Sequence, residues 1–374
     1  MVTPLGCDVA VLGAGVVGLS TAWLLARRGA AVTLLDSGTA GAGASLGAQG
    51  QLVPPSPGLR PLFRRSLALY TELAERTGMP WDAEPAGTLV LSAPGAAGSG
   101  AAPRTFPDAA TLTGEELRAL EPALGPLAES GLLLSEGRRI EPAAVLGALL
   151  AEATGAGAQL RLGLGPLRLQ EAGAAGWALV RADGERLTAP RVVIAAGTGA
   201  RSLLAPLGLH VPLTPVNGRV IVTEPAPFTL ERILAESVIG VPRSVALLAH
   251  QAPDGALVLG GSWYPHDEAE PEDLATRILH RADALVPGTA RLRITAQRGG
   301  LRPFLPDRVP VVDRLAPGLY GCFGHGGEGY IAGPGSAELL VDLLAADQHG
   351  SARPTAEQQT LHAGFRFGRW KEHP

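Results

Sequence analysis

A glycine fingerprint near the start of the chain restricts the fold more than any other feature. Residues 13–18 read GAGVVG and follow the apolar run DVAVL at residues 8–12; a helix-like stretch over residues 16–28 stops at Gly29, and AVTLL follows at residues 31–35. Short apolar runs without alternation suit strands buried on both faces. The segment therefore predicts strand, glycine turn, helix and parallel strand. In that context Gly13 permits the tight turn, Gly15 lets a pyrophosphate approach the backbone, and Gly18 lets the helix pack on the strand. The helix start at Val16 and Val17 faces the phosphates. Asp36 ends the second strand eighteen residues after Gly18, where a carboxylate can accept hydrogen bonds from an adenosine ribose. The competing reading is a glycine-rich turn that binds nothing.

Composition removes several function classes. The chain has 374 residues, 46% hydrophobic and 18% charged, enough for one large domain or two intimate ones and unlike a disordered chain. Its net charge is −4 and its basic residues form no dense run, which argues against a nucleic-acid partner. Lys371, near the end of the sequence in a polar tail, is the single lysine, which argues against a Schiff-base lysine and pyridoxal phosphate chemistry. Cys7 and Cys322 build neither a disulfide framework nor a zinc motif, so no metal is expected and a reducing, cytoplasmic compartment fits. The apolar N-terminus lacks a basic region and runs into Arg27 and Arg28, which reads as folded core rather than a leader. No apolar run approaches the length needed to span a bilayer, and a soluble protein is expected.

Beyond residue 36 the chain is rich in Gly, Ala and Ser up to Gly50, and residues 59–77 predict an amphipathic helix. Residues 94–103 (PGAAGSGAAP) read as a mobile surface loop. Thr113 and Glu116 form a capping box at a short helix, and Pro142 opens a helix over residues 142–154. Strands are expected within residues 155–197, the last at residues 191–196, and at residues 219–223, 245–249, 256–260, 291–301 and 319–323. Helices are expected at residues 273–285 and from about residue 335 to 345. There is no internal repeat.

Four segments carry a family resemblance: ASLGAQGQL at residues 44–52, VVIAAGTGA at 192–200, GGLRPFLPDRVP at 299–310 and FGHGGEGYIAGPG at 323–335. Their order and content resemble the D-amino-acid oxidase/glycine oxidase family of FAD-dependent amine oxidoreductases, over nearly the whole chain. The GLRPxxPD motif, followed by GHxxxG and a C-terminal helix, is its most specific part. The resemblance implies an α/β plus α+β fold: a discontinuous Rossmann-like FAD-binding domain from residues 1–80, 140–215 and 300–374, and an antiparallel-rich substrate-binding domain from residues 81–139 and 216–299. It implies FAD contacts at Ser37 and Ser45, at Gly50, Gln51 and Leu52 beside the ring, and at Leu167, Ala196 and Gly197. Further contacts fall at Arg302, Gly324, Gly326, Gly327, Glu328, Gly329 and Tyr330, where backbone N–H groups face the ring carbonyl that gains charge on reduction. Leu301 and Leu305 stand where some relatives attach flavin through cysteine, so the FAD is expected to be non-covalent.

The implied reaction oxidises the Cα–N bond of an amino acid, imino acid or N-substituted glycine, with dioxygen as acceptor and oligomerisation left open. Two alternatives stand beside it: an opine-type or D-amino-acid dehydrogenase that passes electrons to a quinone or protein, and a non-catalytic FAD-binding subunit. Arg302 is the expected carboxylate anchor, since a planar guanidinium holds a carboxylate bidentately and stays charged. Its other reading is a structural pair with Asp307. Leu248 or His250 stands where relatives place a pocket tyrosine, and Tyr264 either replaces that group or packs in the core. His325 either holds the glycine loop or enters the pocket. Gly327 replaces a basic residue of some glycine oxidases, so the resemblance implies a roomier, less positive pocket. Glu328 either meets a cationic group or points to water, and in the first case suits a bulkier or more cationic substrate than glycine.

Overall fold

The computed structural model describes residues 2–82, 84–92, 106, 109–237, 241–349 and 361–372; the loop expected at residues 94–103 lies outside them. Among the described residues the strands form three larger sheets and one short pair. A six-stranded sheet runs in the order Val311–Ala316, Leu319–Phe323, Val192–Ile194, Val9–Leu12, Val32–Leu35 and Gln159–Arg161. All its pairings are parallel except the first. Its central strands are buried on both faces, which is why their sequences show apolar runs and no alternation. Helix Val16–Arg27 is buried along most of its length and packs between the sheet, helix Pro142–Gly155 and helix Gly329–His349.

An eight-stranded sheet runs Ile294–Phe304, Thr214–Pro225, Ala256–Pro265, Ser244–Gln251, Ile233–Glu236, Thr88–Ser92, Ser130–Leu134 and Thr111–Thr113. Only Ile233–Glu236 and Thr88–Ser92 pair in parallel. Helix Leu274–Leu285 covers one face through Leu274, Ile278 and Leu285. The four-stranded sheet joins Val2–Pro4, Arg186–Ala189, Trp177–Arg181 and Leu167–Glu171. The capping box at Thr113 and Glu116 is present at helix Gly114–Leu120.

Two expected elements have different bounds that bear on the site. The strand placed at residues 291–301 is Ile294–Phe304, because Thr289–Arg291 close a short 3-10 turn. This strand pairs with Thr214–Pro225 from Thr214↔Phe304 to Thr223↔Ile294. Domain cuts at residues 215/216 and 299/300 therefore pass through one continuous ladder, which sequence composition does not mark.

The C-terminal helix starts at Gly329, not near residue 335, and contains Pro334. Proline lacks the N–H that would bond the carbonyl four residues back. Here the Tyr70 hydroxyl donates to the Tyr330 carbonyl at 2.8 Å, and the Gly335 N–H donates to Ser66 Oγ at 2.9 Å. Helix Arg60–Thr77 thus supplies the partners that proline withholds. It comes so close that a Cβ at Gly335 would stand 2.1 Å from the Leu62 carbonyl oxygen.

Candidate functional site

Two adjoining cavities lie where the six-stranded and eight-stranded sheets meet. The larger, about 850 Å³, runs from Asp36 along the glycine turn to the loop at Gly324–Gly329. The smaller, about 220 Å³, is walled by Arg302, Trp263, Leu248 and Gln51. They share Val16, Ala44, Ser45, Gly300, His325, Gly326 and Gly329.

The larger cavity is built from the fingerprint. Gly13 has φ +107°, and a Cβ there would stand 2.4 Å from the Ala195 carbonyl oxygen. Gly18 does not reach the cavity; a Cβ on it would overlap the Gly13 carbonyl, so its absence lets helix sit on turn. A Cβ at Gly15 would meet Ser45 Oγ at 3.0 Å, and that oxygen accepts from the Val16 N–H at 3.1 Å. Asp36 is held by the Ala14 N–H at 2.6 Å and the Gly38 N–H at 2.8 Å. Ser37, Leu167, Ala196 and Gly197 also line this cavity. A long groove with a glycine floor, a helix N-terminus and an oriented carboxylate fits a dinucleotide.

Arg302 enters the smaller cavity from strand Ile294–Phe304. Its Nη2 donates to the carbonyls of Asn217, at 2.9 Å, and Ser262, while the buried Nε has no protein partner. Gly218 makes room: a Cβ there would stand 2.7 Å from the guanidinium carbon. Burial lowers the pKa to about 10, against an opposing pull from Glu270, so the group is a cation at neutral pH. Asp307 is not its partner, because Asp307 binds Arg369.

The loop from Gly324 is tied down at several points. The Gly326 N–H donates to the Pro303 carbonyl at 2.9 Å, and the Glu328 N–H donates to that of His325 at 2.8 Å. Gly324 and Gly326 have φ +82° and +55°, and a Cβ on either would strike Leu305 or Phe304. His325 Nε2 lies 3.0 Å from Ser336 Oγ, and burial lowers its pKa to about 4, which keeps the ring neutral. Gly50, Gln51, Gly327, Glu328 and Tyr330 line the smaller cavity. The Tyr330 hydroxyl is within reach of the Ser45 and Pro142 carbonyls, at 3.2 and 3.3 Å.

Besides Gly18, three expected site residues lie outside the lining of both cavities. Leu52 is fully buried in the core cluster around helix Val16–Arg27, because successive strand side chains face opposite ways and Gln51 takes the cavity side. His250 sits behind Gln51, whose Nε2 is 3.2 Å from its Nδ1. Burial, then Arg139 and Arg298, lower the His250 pKa to about 3. Tyr264 packs with Leu257, Leu259 and Ile278 under helix Leu274–Leu285. The cause is Gly261, at φ +107°, where the pairing register with Ser244–Gln251 shifts. Alternation reverses there, so Leu257 and Leu259 face the helix before the break and Tyr264 after it, which turns Trp263 to the cavity.

Trp263, Phe304, Arg308 and Gln49 also line the cavity, and no sequence signal used above singled them out. Arg308 brings a further basic side chain to the lining, beside Arg219 and Arg302. The phase break at Gly260-Gly261 was the available clue for Trp263. Among the described residues no helix is long and apolar enough to cross a membrane, and no cluster of His, Cys, Asp and Glu could hold a metal ion.

Residues 8–343 match the family described as FAD dependent oxidoreductase, DAO. The chain is 31% identical over 367 residues to a glycine oxidase of Pseudomonas aeruginosa, covering 90% of this chain and 94% of that protein. Among solved structures, the glycine oxidase of Geobacillus kaustophilus superposes with a TM-score of 0.79 at 24% identity, over 97% of this chain and 98% of that one. An L-proline dehydrogenase from P. horikoshii has a TM-score of 0.77 at 18% identity, over 95% and 96%.

Proposed function

The chain belongs to the DAO family of FAD-dependent oxidoreductases acting on CH–NH donors, and on that premise we propose that it oxidises the Cα–N bond of an amino acid, imino acid or N-substituted glycine to an imine, with dioxygen as acceptor. The observation that carries this reading is Arg302: a buried cation with an unpartnered Nε, in a small cavity that opens on the dinucleotide groove. Such a group fixes a carboxylate and so orients Cα. The similarity to glycine oxidases supports the same class of substrate.

Asp36 would hold the adenosine ribose, and Gly13, Gly15, Val16 and Val17 the phosphates, with Ser45, Leu167, Ala196 and Gly197 along the groove. The shared stretch from His325 to Gly329 would hold the ring. Bound there, FAD supplies the acceptor for the hydride that leaves Cα. The start of helix Gly329–His349 directs its N-terminal dipole at that stretch and favours negative charge there. His325, neutral and tied to Ser336, fixes the loop. Glu328 is the only carboxylate among the described lining residues of the smaller cavity, and we assign it to the substrate's amine, whose proton must leave before hydride can. The released imine hydrolyses in water without a protein group.

An anaerobic screen of amino and imino acids, read by flavin bleaching and then by peroxide on aerobic turnover, tests the proposal. Bleaching with peroxide is expected. Bleaching without peroxide would make the protein a dehydrogenase, and no bleaching at all would make it a non-catalytic FAD-binding subunit.

A further inference from the structure

Arg369 stands 62 residues after Asp307 in sequence, and its guanidinium grips the chain on both sides of one cavity residue. Nε and Nη2 donate to the two carboxylate oxygens of Asp307, the latter at 3.0 Å, and Nη2 also donates to the Val309 carbonyl. The remaining Nη1 donates to the Arg366 carbonyl at 2.8 Å, which orients the fork from its own segment. Between the two gripped residues stands Arg308, which lines the smaller cavity and has φ +58°. A residue bearing a Cβ keeps that conformation only where its surroundings impose it. Here the Arg308 N–H donates to the Leu305 carbonyl at 2.9 Å, and the Val309 N–H donates at 3.1 Å to Asp307 Oδ1, an oxygen that Arg369 also holds.

The C-terminal segment is fastened alongside at further points. The Val312 N–H donates to the Phe365 carbonyl at 3.0 Å, and the Phe367 N–H donates to Asp313 Oδ2 at 2.9 Å. Phe367 and Trp370 pack against the core cluster that contains Leu305. On the cavity side, contact continues from side chain to side chain. The Arg308 guanidinium carbon lies 5.1 Å from the centre of the Trp263 ring and 6.0 Å from that of Phe304, and the two ring centres are 4.2 Å apart. The Arg302 guanidinium carbon lies 5.5 Å from the centre of the same indole. The residue assigned to the substrate carboxylate thus rests on a ring whose other neighbour is carried by the turn that Arg369 holds. An exposed ion pair adds little stability by itself, but an anchor displaced by about an ångström loses much of its effect.

We infer that Arg369 is a positioning residue for substrate binding. Through the Asp307–Val309 turn and the Arg308–Trp263 contact it fixes Arg302 in the orientation that grips a carboxylate, which makes the C-terminal segment a working part of the site. This deepens the amine-oxidation reading and rests on it for turnover, though not for binding.

The test uses the FAD-loaded full chain. Arg369→Gln should raise the KM of the best amine substrate, and the Kd for the amine-free carboxylate butyrate, by about fivefold or more, while kcat and flavin content stay near the wild type. Arg369→Lys should recover little, because an ammonium cannot span Asp307 and Val309 as the fork does. Arg308→Gly suits the positive φ and removes the link between turn and ring, so adding Arg369→Gln to it should change the butyrate Kd by less than about twofold. A lower Tm with unchanged KM and Kd in Arg369→Gln, or the same rise in both backgrounds, would overturn the inference. Should Arg369→Gln fail to fold, Asp307→Asn, which keeps the turn's acceptor and weakens the pair, is judged by the same criteria. If no amine bleaches the flavin, the amine-oxidation reading fails, while the butyrate Kd still decides the role of Arg369. A wild type that binds no butyrate has no anchor to position, and the inference falls.

Discussion

Asp307 accepts hydrogen bonds from both Nε and Nη2 of Arg369, the latter at 3.0 Å, and this leaves Arg302 without a carboxylate partner from its own loop. An arginine so placed is available to a ligand. Arg302→Ala should lower kcat/KM on carboxylate substrates by two to four orders of magnitude, from a loss of about 3–5 kcal/mol, while FAD stays bound. Arg302→Lys should recover only part, because an ammonium cannot make the bidentate fork. Steady-state kinetics with flavin content measured on the same sample checks both, and near-normal turnover in Arg302→Ala would place the anchor elsewhere.

A Cβ at Gly15 would meet Ser45 Oγ at 3.0 Å, and a branched side chain there would project into the groove. Gly15→Val should yield folded but colourless protein, checked by absorbance and thermal unfolding. Cys322 lines the same groove, yet burial pushes its thiol pKa up, and a protonated thiol is a poor nucleophile. Acid precipitation of the wild type should leave all flavin in the supernatant as FAD. Yellow colour in the pellet contradicts this.

Glu328 lines the smaller cavity, with no other acid among its described lining residues. Glu328→Gln should weaken amine substrates by roughly 1–3 kcal/mol in kcat/KM. Binding of an amine-free carboxylate such as butyrate should change little. A calorimetric titration beside the kinetics separates the two, and an equal loss on both would assign Glu328 to the loop's architecture instead.

Both buried histidines should make the protein acid-sensitive. In the folded state His325 and His250 have pKa values lowered to about 4 and about 3, while the unfolded chain titrates near 6.5. Between these values the unfolded chain binds more protons, so stability rises with pH. It should be complete above about pH 6.5 and fall as pH drops toward 4, by on the order of 2–3 kcal/mol per histidine. Urea unfolding from pH 7.5 to 4.5 measures this, and His325→Asn should flatten the slope.

How much the sequence disclosed depended on whether each feature is local. The fingerprint and Asp36 were legible because turn, helix start and strand end lie within one stretch of chain. Arg302 was legible through its motif. Trp263 and Tyr264 were not separable, since their directions depend on a register shift at Gly261 against another strand. Arg308 was hidden by its own backbone, because nothing in GLRPFLPDRVP announces a positive φ at an arginine. The helix start at Gly329 was hidden by Pro334, whose cost is met by Tyr70, 260 residues away from its partner.

The order of strands in the six-stranded sheet also fixes an order in time. Val192–Ile194 pairs on one side with Val9–Leu12 and on the other with Leu319–Phe323, so a growing chain holds Val192–Ile194 with one edge bare until Leu319–Phe323 has been made. Such an edge is a template for unwanted pairing, and closing it demands a contact between distant parts of the chain, which is slow. The loop from Gly324 to Gly329 emerges later still. The groove's two walls, the fingerprint and the Gly324–Gly329 stretch, are thus made roughly 300 residues of chain apart, and the complete groove exists only once the later one has folded onto the earlier.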